Sequence, residues 1–323
     1  MSQIAMNNDR KARVYFTTMV GINLAVIFIV VAGMVTGIRG YIADTLFTYH
    51  AVTCCGSVCA QCFFTMHTFF AALPWLCIVI LFVGISLSVR KTFSMVSWNY
   101  RFIRPLIPLP VENHPRLRKI VSRIPLNGQL VLFENSMLRY AFTSGILKPK
   151  IYLSTGLCSY LTTKELLSVA VHEAYHTKDK APLKLFIARM FHALNFFLPI
   201  NSYLLNGYIA ASEMAADDAA LHTSGEPLEL ASALVKLSRH NNRDIRSAAA
   251  LFFKGTAIVE DRLRRLLSPE TPAPCRGKAY LCLASVVSLF AAVLVCLTLF
   301  HKSLISDRAM ECKTKVCHTA VCG

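Results

Sequence analysis

Three uncharged apolar stretches, residues 14–38, 68–89 and 280–300, constrain this chain more than any other feature. As helices, each is long enough to cross a hydrocarbon core about 30 Å thick, which takes about 20 residues. The first is too long for a cleaved signal peptide and lacks a small-residue cleavage site, so it reads as a span. The second carries Pro74 near its start. Composition agrees: 54% of the 323 residues are hydrophobic and only 16% are charged, against about 25% charge in soluble domains. A disordered chain is excluded, and an integral membrane protein is expected.

Basic residues near the span ends set the expected orientation. Arg10, Lys11 and Arg13 precede the first span, Arg90, Lys91, Arg101 and Arg104 follow the second, and Arg276 and Lys278 precede the third. Segment 39–67 holds a single basic residue, Arg39. The N-terminus and residues 90–279 are therefore expected in the cytoplasm, with 39–67 and the tail 301–323 outside. Lys302, Arg308, Lys313 and Lys315 in that tail run mildly against the rule. Of the formal net charge of +16, region 90–279 contributes +12, from 26 basic and 14 acidic residues. Anionic cytoplasmic lipid accounts for that excess, so no direct nucleic-acid binding is expected. Three domains follow: a membrane region 1–90, a cytoplasmic domain 91–279, and a span with its tail, 280–323.

Seven of the twelve cysteines fall on the two segments assigned to the outside: Cys54, Cys55, Cys59, Cys62, Cys312, Cys317 and Cys322. An oxidising compartment favours such placement. Cys59 and Cys62 form a CxxC, which suits a redox pair or a soft metal ion, while disulfides joining loop to tail are the plainer alternative. Seven is odd, so at least one thiol stays free or pairs between subunits.

The cytoplasmic region opens with a basic, proline-rich linker containing Pro105, Pro108, Pro110 and Pro115. Short β-type runs follow at 129–133, 140–143 and 150–154, separated by turn residues. Thr162 or Thr163 can cap a helix beginning near Lys164, with Glu165 in its first turn. That helix carries His172-Glu173-Ala174-Tyr175-His176, an HExxH. The i,i+4 spacing projects both imidazoles from one helical face, where they can hold one zinc ion. Glu173 then lies beside the open coordination position, suited to take a proton from an attacking water and return it to the leaving amine.

Two histidines need a third protein ligand. Glu213 and Asp217, also spaced i,i+4, stand in an alanine-rich segment where unpartnered carboxylates are costly. Glu213 is the expected ligand, and Asp217 is expected to hydrogen-bond a ligand imidazole and fix its tautomer. Between the motifs, residues 183–205 are apolar but broken by Lys184, Arg189, His192, Asn195, Pro199 and Asn201. A full crossing would bury Arg189 and put the two motifs on opposite sides of the membrane, so an interfacial or core hairpin is expected. His192 reads as a packing or interfacial residue rather than a fourth ligand.

The order of these features resembles the BlaR/MecR-type membrane zinc metallopeptidases, the protease part of beta-lactam sensor–transducers, and more distantly the HtpX and CAAX prenyl endopeptidase families. The resemblance covers about 129–267 and is carried by the stretch 141–153, the HExxH, the segment 195–200, Glu213-Met-Ala-Ala-Asp217 and Asp261-Arg-Leu-Arg-Arg-Leu-Leu267. It implies a gluzincin-type site with His172, His176 and Glu213 as zinc ligands, Glu173 as catalytic acid/base and one Zn2+ per chain. In the prenyl endopeptidases a histidine precedes an arginine that helps hold substrate or the oxyanion. Arg262 matches the arginine, but residues 256–260 contain no histidine. Arg262 is thus a weak oxyanion or substrate candidate, with a surface or lipid-headgroup contact as its plainer role. The sensor–transducers also carry a penicillin-binding domain beyond their last span, so beta-lactam specificity is not expected here.

The sequence therefore reads as a mostly α membrane protein: three transmembrane helices plus a cytoplasmic, zincin-like α+β metallopeptidase domain with a small sheet, in a bacterial inner membrane. The resemblance implies regulated proteolysis of a protein or peptide substrate, for example a DNA-binding repressor. An extended substrate is expected to join an exposed sheet edge, with the run 150–154 as candidate. The rival readings are a quality-control protease of the HtpX type and a non-catalytic, cysteine-rich redox or metal receptor.

Overall fold

The computed structural model describes residues 2–54, 57–124, 129–224, 226–241 and 256–267. The order is α1 (Ser2–Cys54), α2 (Ser57–Ile103), β1 (Pro108–Leu109), a 3-10 turn (Val111–Asn113), α3 (Pro115–Val121), β2 (Leu130–Phe133), β3 (Ala141–Ser144), β4 (Lys150–Ser154), α4 (Thr155–Tyr160), α5 (Thr163–Lys178), α6 (Ala181–Leu194), α7 (Ile200–Ser224), α8 (Pro227–Asn241) and α9 (Thr256–Leu267). Among the described residues the molecule is mostly helical with one small mixed sheet. It divides into two compact units that do not follow chain order: Met1–Met19, Val89–Phe191 and Ser202–Gly277 in one, and Val20–Ser88, His192–Asn201 and Lys278–Gly323 in the other.

Among the described residues, two helices are long and apolar enough to cross a membrane, Asn7–Val35 within α1 and Ile78–Ile103 within α2. Both run well past the stretches expected from hydropathy. Segment 39–67, expected as an outer loop, is helical to Cys54 and again from Ser57. Helical hydrogen bonding continues because no proline interrupts 39–54, and hydropathy marks only where a helix meets lipid, not where it ends. The third expected span, 280–300, lies outside the described residues.

In the second unit, large apolar side chains stand open on these helices; Phe28 is 74% and Phe82 70% exposed. Such surface needs a nonaqueous cover, which a bilayer supplies. Three buried asparagines close a network in this unit. Asn23 Nδ2 donates to Asn201 Oδ1 at 2.8 Å, Asn195 Nδ2 donates to Asn23 Oδ1 at 2.6 Å, and Asn201 Nδ2 lies 3.1 Å from the same Asn23 oxygen. The connection 195–199 ends α6 and is held by backbone bonds from Leu198 N to Asn195 O and from Asn201 N to Leu198 O. The apolar stretch 183–205 is therefore two helices rather than one. Gly84 allows the close approach of α2 to the end of α6, since a Cβ there would sit 2.3 Å from the Leu194 carbonyl oxygen.

In the first unit the sheet order is β1-β2-β4-β3, with β2 and β4 parallel and the outer pairs antiparallel. Ile151 and Leu153 alternate into a core shared with Leu117, Ile120, Leu132, Leu157, Leu166 and Ala170. Strand β4 is thus paired on both sides and offers no edge, contrary to the expected substrate-docking role of 150–154. The edge strands of the sheet are β1 and β3, and the turn from β3 to β4 uses Gly145 at φ 112°, a conformation that side-chain-bearing residues rarely adopt. Strand β1 lies in the stretch read as a proline-rich linker.

Helix α5 begins where the sequence places it. Thr162 accepts from the Glu165 backbone N–H, and the Glu165 carboxylate accepts from Thr162 N, a reciprocal capping box worth about 1 kcal/mol. The Glu165 carboxylate also takes Ser232 Oγ at 2.6 Å and Lys236 Nζ at 2.7 Å, tying α8 to the start of α5.

Candidate metal centre

Helix α5 presents His172, Glu173 and His176, all buried, and α7 brings the buried Glu213 and Asp217 against them. The alanines at 211, 215, 216 and 220 permit that approach. His172 Nε2 lies 3.3 Å from His176 Nε2, and the two face the Glu213 carboxylate at 3.5 and 3.4 Å. One ligand-type atom from each of His172, His176 and Glu213 falls within 4.8 Å of the other two. Two imidazole nitrogens and a carboxylate oxygen turned toward one point make a donor set suited to a borderline-soft divalent cation such as zinc. His192 is outside this group.

The surrounding charges are matched. His172 Nδ1 lies 3.0 Å from Asp217 Oδ1, so the imidazole is oriented with Nε2 toward the cluster. Burial by itself disfavours an imidazolium, but the Asp217 and Glu213 carboxylates outweigh it and raise the His172 pKa to about 9. Burial likewise pushes the Glu213 and Asp217 carboxyls up; Arg262, followed by the imidazoles, holds Glu213 well below the usual range and Asp217 below it.

Arg262, on α9, is buried and forms a two-pronged pair with Asp217 through Nε at 2.8 Å and Nη2 at 2.7 Å, while Nη1 lies 2.9 Å from Glu213 Oε2. It makes neither a surface nor a headgroup contact, because its guanidinium is committed to two carboxylates. Arg265, three residues further along α9, pairs with Asp218, the residue after Asp217, and extends the clamp.

Five contributors escaped the sequence reading. On β3, the Thr143 hydroxyl lies 2.8 Å from Glu173 Oε2 and 3.0 Å from the Glu173 carbonyl oxygen, so the edge strand touches the carboxylate next to the imidazoles. Tyr175, inside the HExxH, donates to Asp9 Oδ1 at 2.7 Å, and Asn8 Nδ2 donates to Asp218 Oδ2 at 2.8 Å. The N-terminal turns of α1 thereby grip both helices of the cluster, reinforced by Ala12, Tyr15 and Phe16 against Tyr208 and Ala211. Tyr208, on α7, lines a cavity with Thr143, Glu173, His176, Leu185 and Glu213. A polar residue at the end of a span is an ordinary sequence feature, so only tertiary structure distinguishes Asn8 and Asp9.

Of the seven cysteines expected outside, Cys54 ends α1, Cys59 and Cys62 lie in α2, and Cys55, Cys312, Cys317 and Cys322 lie outside the described residues.

The BlaR1 peptidase M56 family matches this chain over residues 57–266, well over half its length. The chain belongs to that family. A protease HtpX homolog from Moorella thermoacetica is 28% identical over 265 residues, which covers 67% of this chain and 88% of that protein. The crystal structure of Ste24p from S. mikatae is 16% identical, with a TM-score of 0.38; the match covers 71% of this chain and 66% of that one. With its two apolar helices, this M56 chain is a membrane protein of a metallopeptidase family, and its His-His-Glu cluster lies inside the matched region.

Proposed function

We propose that this M56 chain is a membrane-bound zinc endopeptidase whose site, on a domain spanning about 91–279, faces the cytoplasm and serves signal-regulated proteolysis. The observation that carries this reading is the convergence of His172, His176 and Glu213 on one point with Glu173 alongside. Three protein ligands leave a coordination position open, as catalytic rather than structural zinc sites do. Zn2+, when bound, would polarise a peptide carbonyl and lower the pKa of a water toward neutrality.

The chain's own residues supply the rest. Thr143 holds the Glu173 carboxylate, which takes a proton from the attacking water and delivers it to the leaving amine nitrogen. Asp217 orients His172, and Arg262 balances the charge of Asp217 and Glu213. The edge strand β3 passes the same carboxylate, so an extended substrate pairing with that strand brings its backbone to the site. The basic bias of 90–279 supports the cytoplasmic orientation.

The similarity to an HtpX homolog favours a second reading, quality control of membrane proteins with many substrates. Proteomic comparison of cells carrying wild type and Glu173→Gln separates the two. One cut protein that persists intact in the variant supports a dedicated transducer, and many such proteins support quality control. Identical proteomes would refute both.

A further inference from the structure

From the cavity beside the cluster we infer a catalytic role that the sequence motifs leave unfilled: the Tyr208 hydroxyl stabilises the oxyanion formed at the scissile carbonyl. This inference rests on the peptidase reading above. Water attack forms an O–C bond and shifts the carbonyl π pair onto oxygen, while the water's proton passes to Glu173. The new oxygen charge needs a preorganised donor.

The hydroxyl donors lining the cavity are Thr143, Tyr208 and Ser212, the last of which lies against the Tyr208 hydroxyl. Arg262 is occupied by Asp217 and Glu213, and the Thr143 hydroxyl is occupied by Glu173. Tyr208 is only 2% exposed, lines the cavity with Glu173, His176 and Glu213, and its hydroxyl makes no well-formed hydrogen bond among the described residues. A buried, unsatisfied hydroxyl is costly, on the order of 1–3 kcal/mol, and marks a place where a ligand completes the bonding. Its ring is fixed by Phe16, 5.7 Å away, and by Ala12 and Ala211, so the donor is held in place before substrate arrives. Burial, followed by the nearby Asp179 carboxylate, raises the phenol's pKa, and Ser212 only partly opposes this. The group therefore remains an O–H donor throughout the neutral range.

Tyr208→Phe removes the hydroxyl and keeps the ring packing. With a pool of internally quenched fluorescent peptides, kcat is expected to fall about 100- to 1,000-fold with KM little changed. Bound zinc should equal that of the wild type, and affinity for a phosphinic peptide, which presents a tetrahedral oxyanion, should fall at least about tenfold. Unchanged kcat, a change confined to KM, or an activity loss that tracks loss of zinc would overturn the inference. Glu173→Gln measured in parallel separates the levels. If it is inactive while Tyr208→Phe is fully active, only the oxyanion role fails; if Glu173→Gln cleaves as the wild type does, the peptidase reading fails with it.

Discussion

Two buried polar clusters in this molecule are built on opposite plans. Asn23, Asn195 and Asn201 form a neutral set in which each side chain bonds another member. The cluster on α5, α7 and α9 is charged, and it points two imidazole nitrogens and a carboxylate at one another. The Tyr208 hydroxyl beside them is left without a well-formed partner among the described residues. A network meant only to hold helices together satisfies itself, as apolar surroundings demand. A network that leaves donors and acceptors facing a common point is arranged around something it must bind. The asparagines read as a fastener and the charged cluster as a site.

The contrast can be tested by removing one member of each. Arg262→Met should have the largest effect, because it leaves Asp217 and Glu213 buried without their cation. The expected loss is about 3–5 kcal/mol, read as a lower midpoint in detergent-solubilised thermal unfolding. Arg262→Lys should recover part of it, since charge returns but the two-pronged geometry does not. An unperturbed midpoint for Arg262→Met would mean that Arg262 does not balance the buried Asp217 and Glu213 carboxylates.

Asn23→Ala should cost about 1–2 kcal/mol and leave bound zinc unchanged. The sharper comparison is with Asn23, Asn195 and Asn201 all replaced by leucine or alanine. If the network is a self-contained fastener, removing every member should cost less than three times the single change. A triple variant that loses metal would instead tie the fastener to the site.

Glu165 lies outside both clusters and supplies a control. Burial raises its pKa, but Lys236, Ser232 and the Thr162 backbone together hold it below the model-peptide value of 4.5. A carboxyl depressed by folding stabilises above its unfolded pKa, and that contribution disappears as pH falls through the folded value. Wild type should therefore exceed Glu165→Gln by about 1 kcal/mol at neutral pH, with the gap closing below about pH 4.5. A gap independent of pH would contradict the ion-pair account. Tyr175→Phe should have the smallest effect, about 1 kcal/mol or less, since Asp9 can turn to solvent.

What the sequence disclosed depended on spacing along one element. Helical spacing placed His172 with His176 and Glu213 with Asp217, and the Thr162–Glu165 pattern marked the start of α5. The β-type runs at 129–133, 140–143 and 150–154 correspond closely to β2, β3 and β4. What it hid depended on partners distant in the chain. Arg262 is 45 residues from Asp217, so its burial could not be read from a charged, amphipathic segment. Strand order is equally nonlocal: β4 follows β3 in sequence but lies inside the sheet, which leaves β1 and β3 as the edge strands. Asn195 and Asn201 were visible as interruptions of an apolar run, but their partner Asn23 lies within an expected span. Tyr208 gave no signal at all, since an aromatic residue on an apolar helix normally packs as core.

The most direct test is metal analysis of the purified, detergent-solubilised chain by plasma mass spectrometry. Wild type and Glu173→Gln should each retain about one zinc per chain, while His176→Ala and Glu213→Ala should retain almost none. Wild type without a divalent ion, or Glu213→Ala with a full complement, would contradict the three-ligand centre.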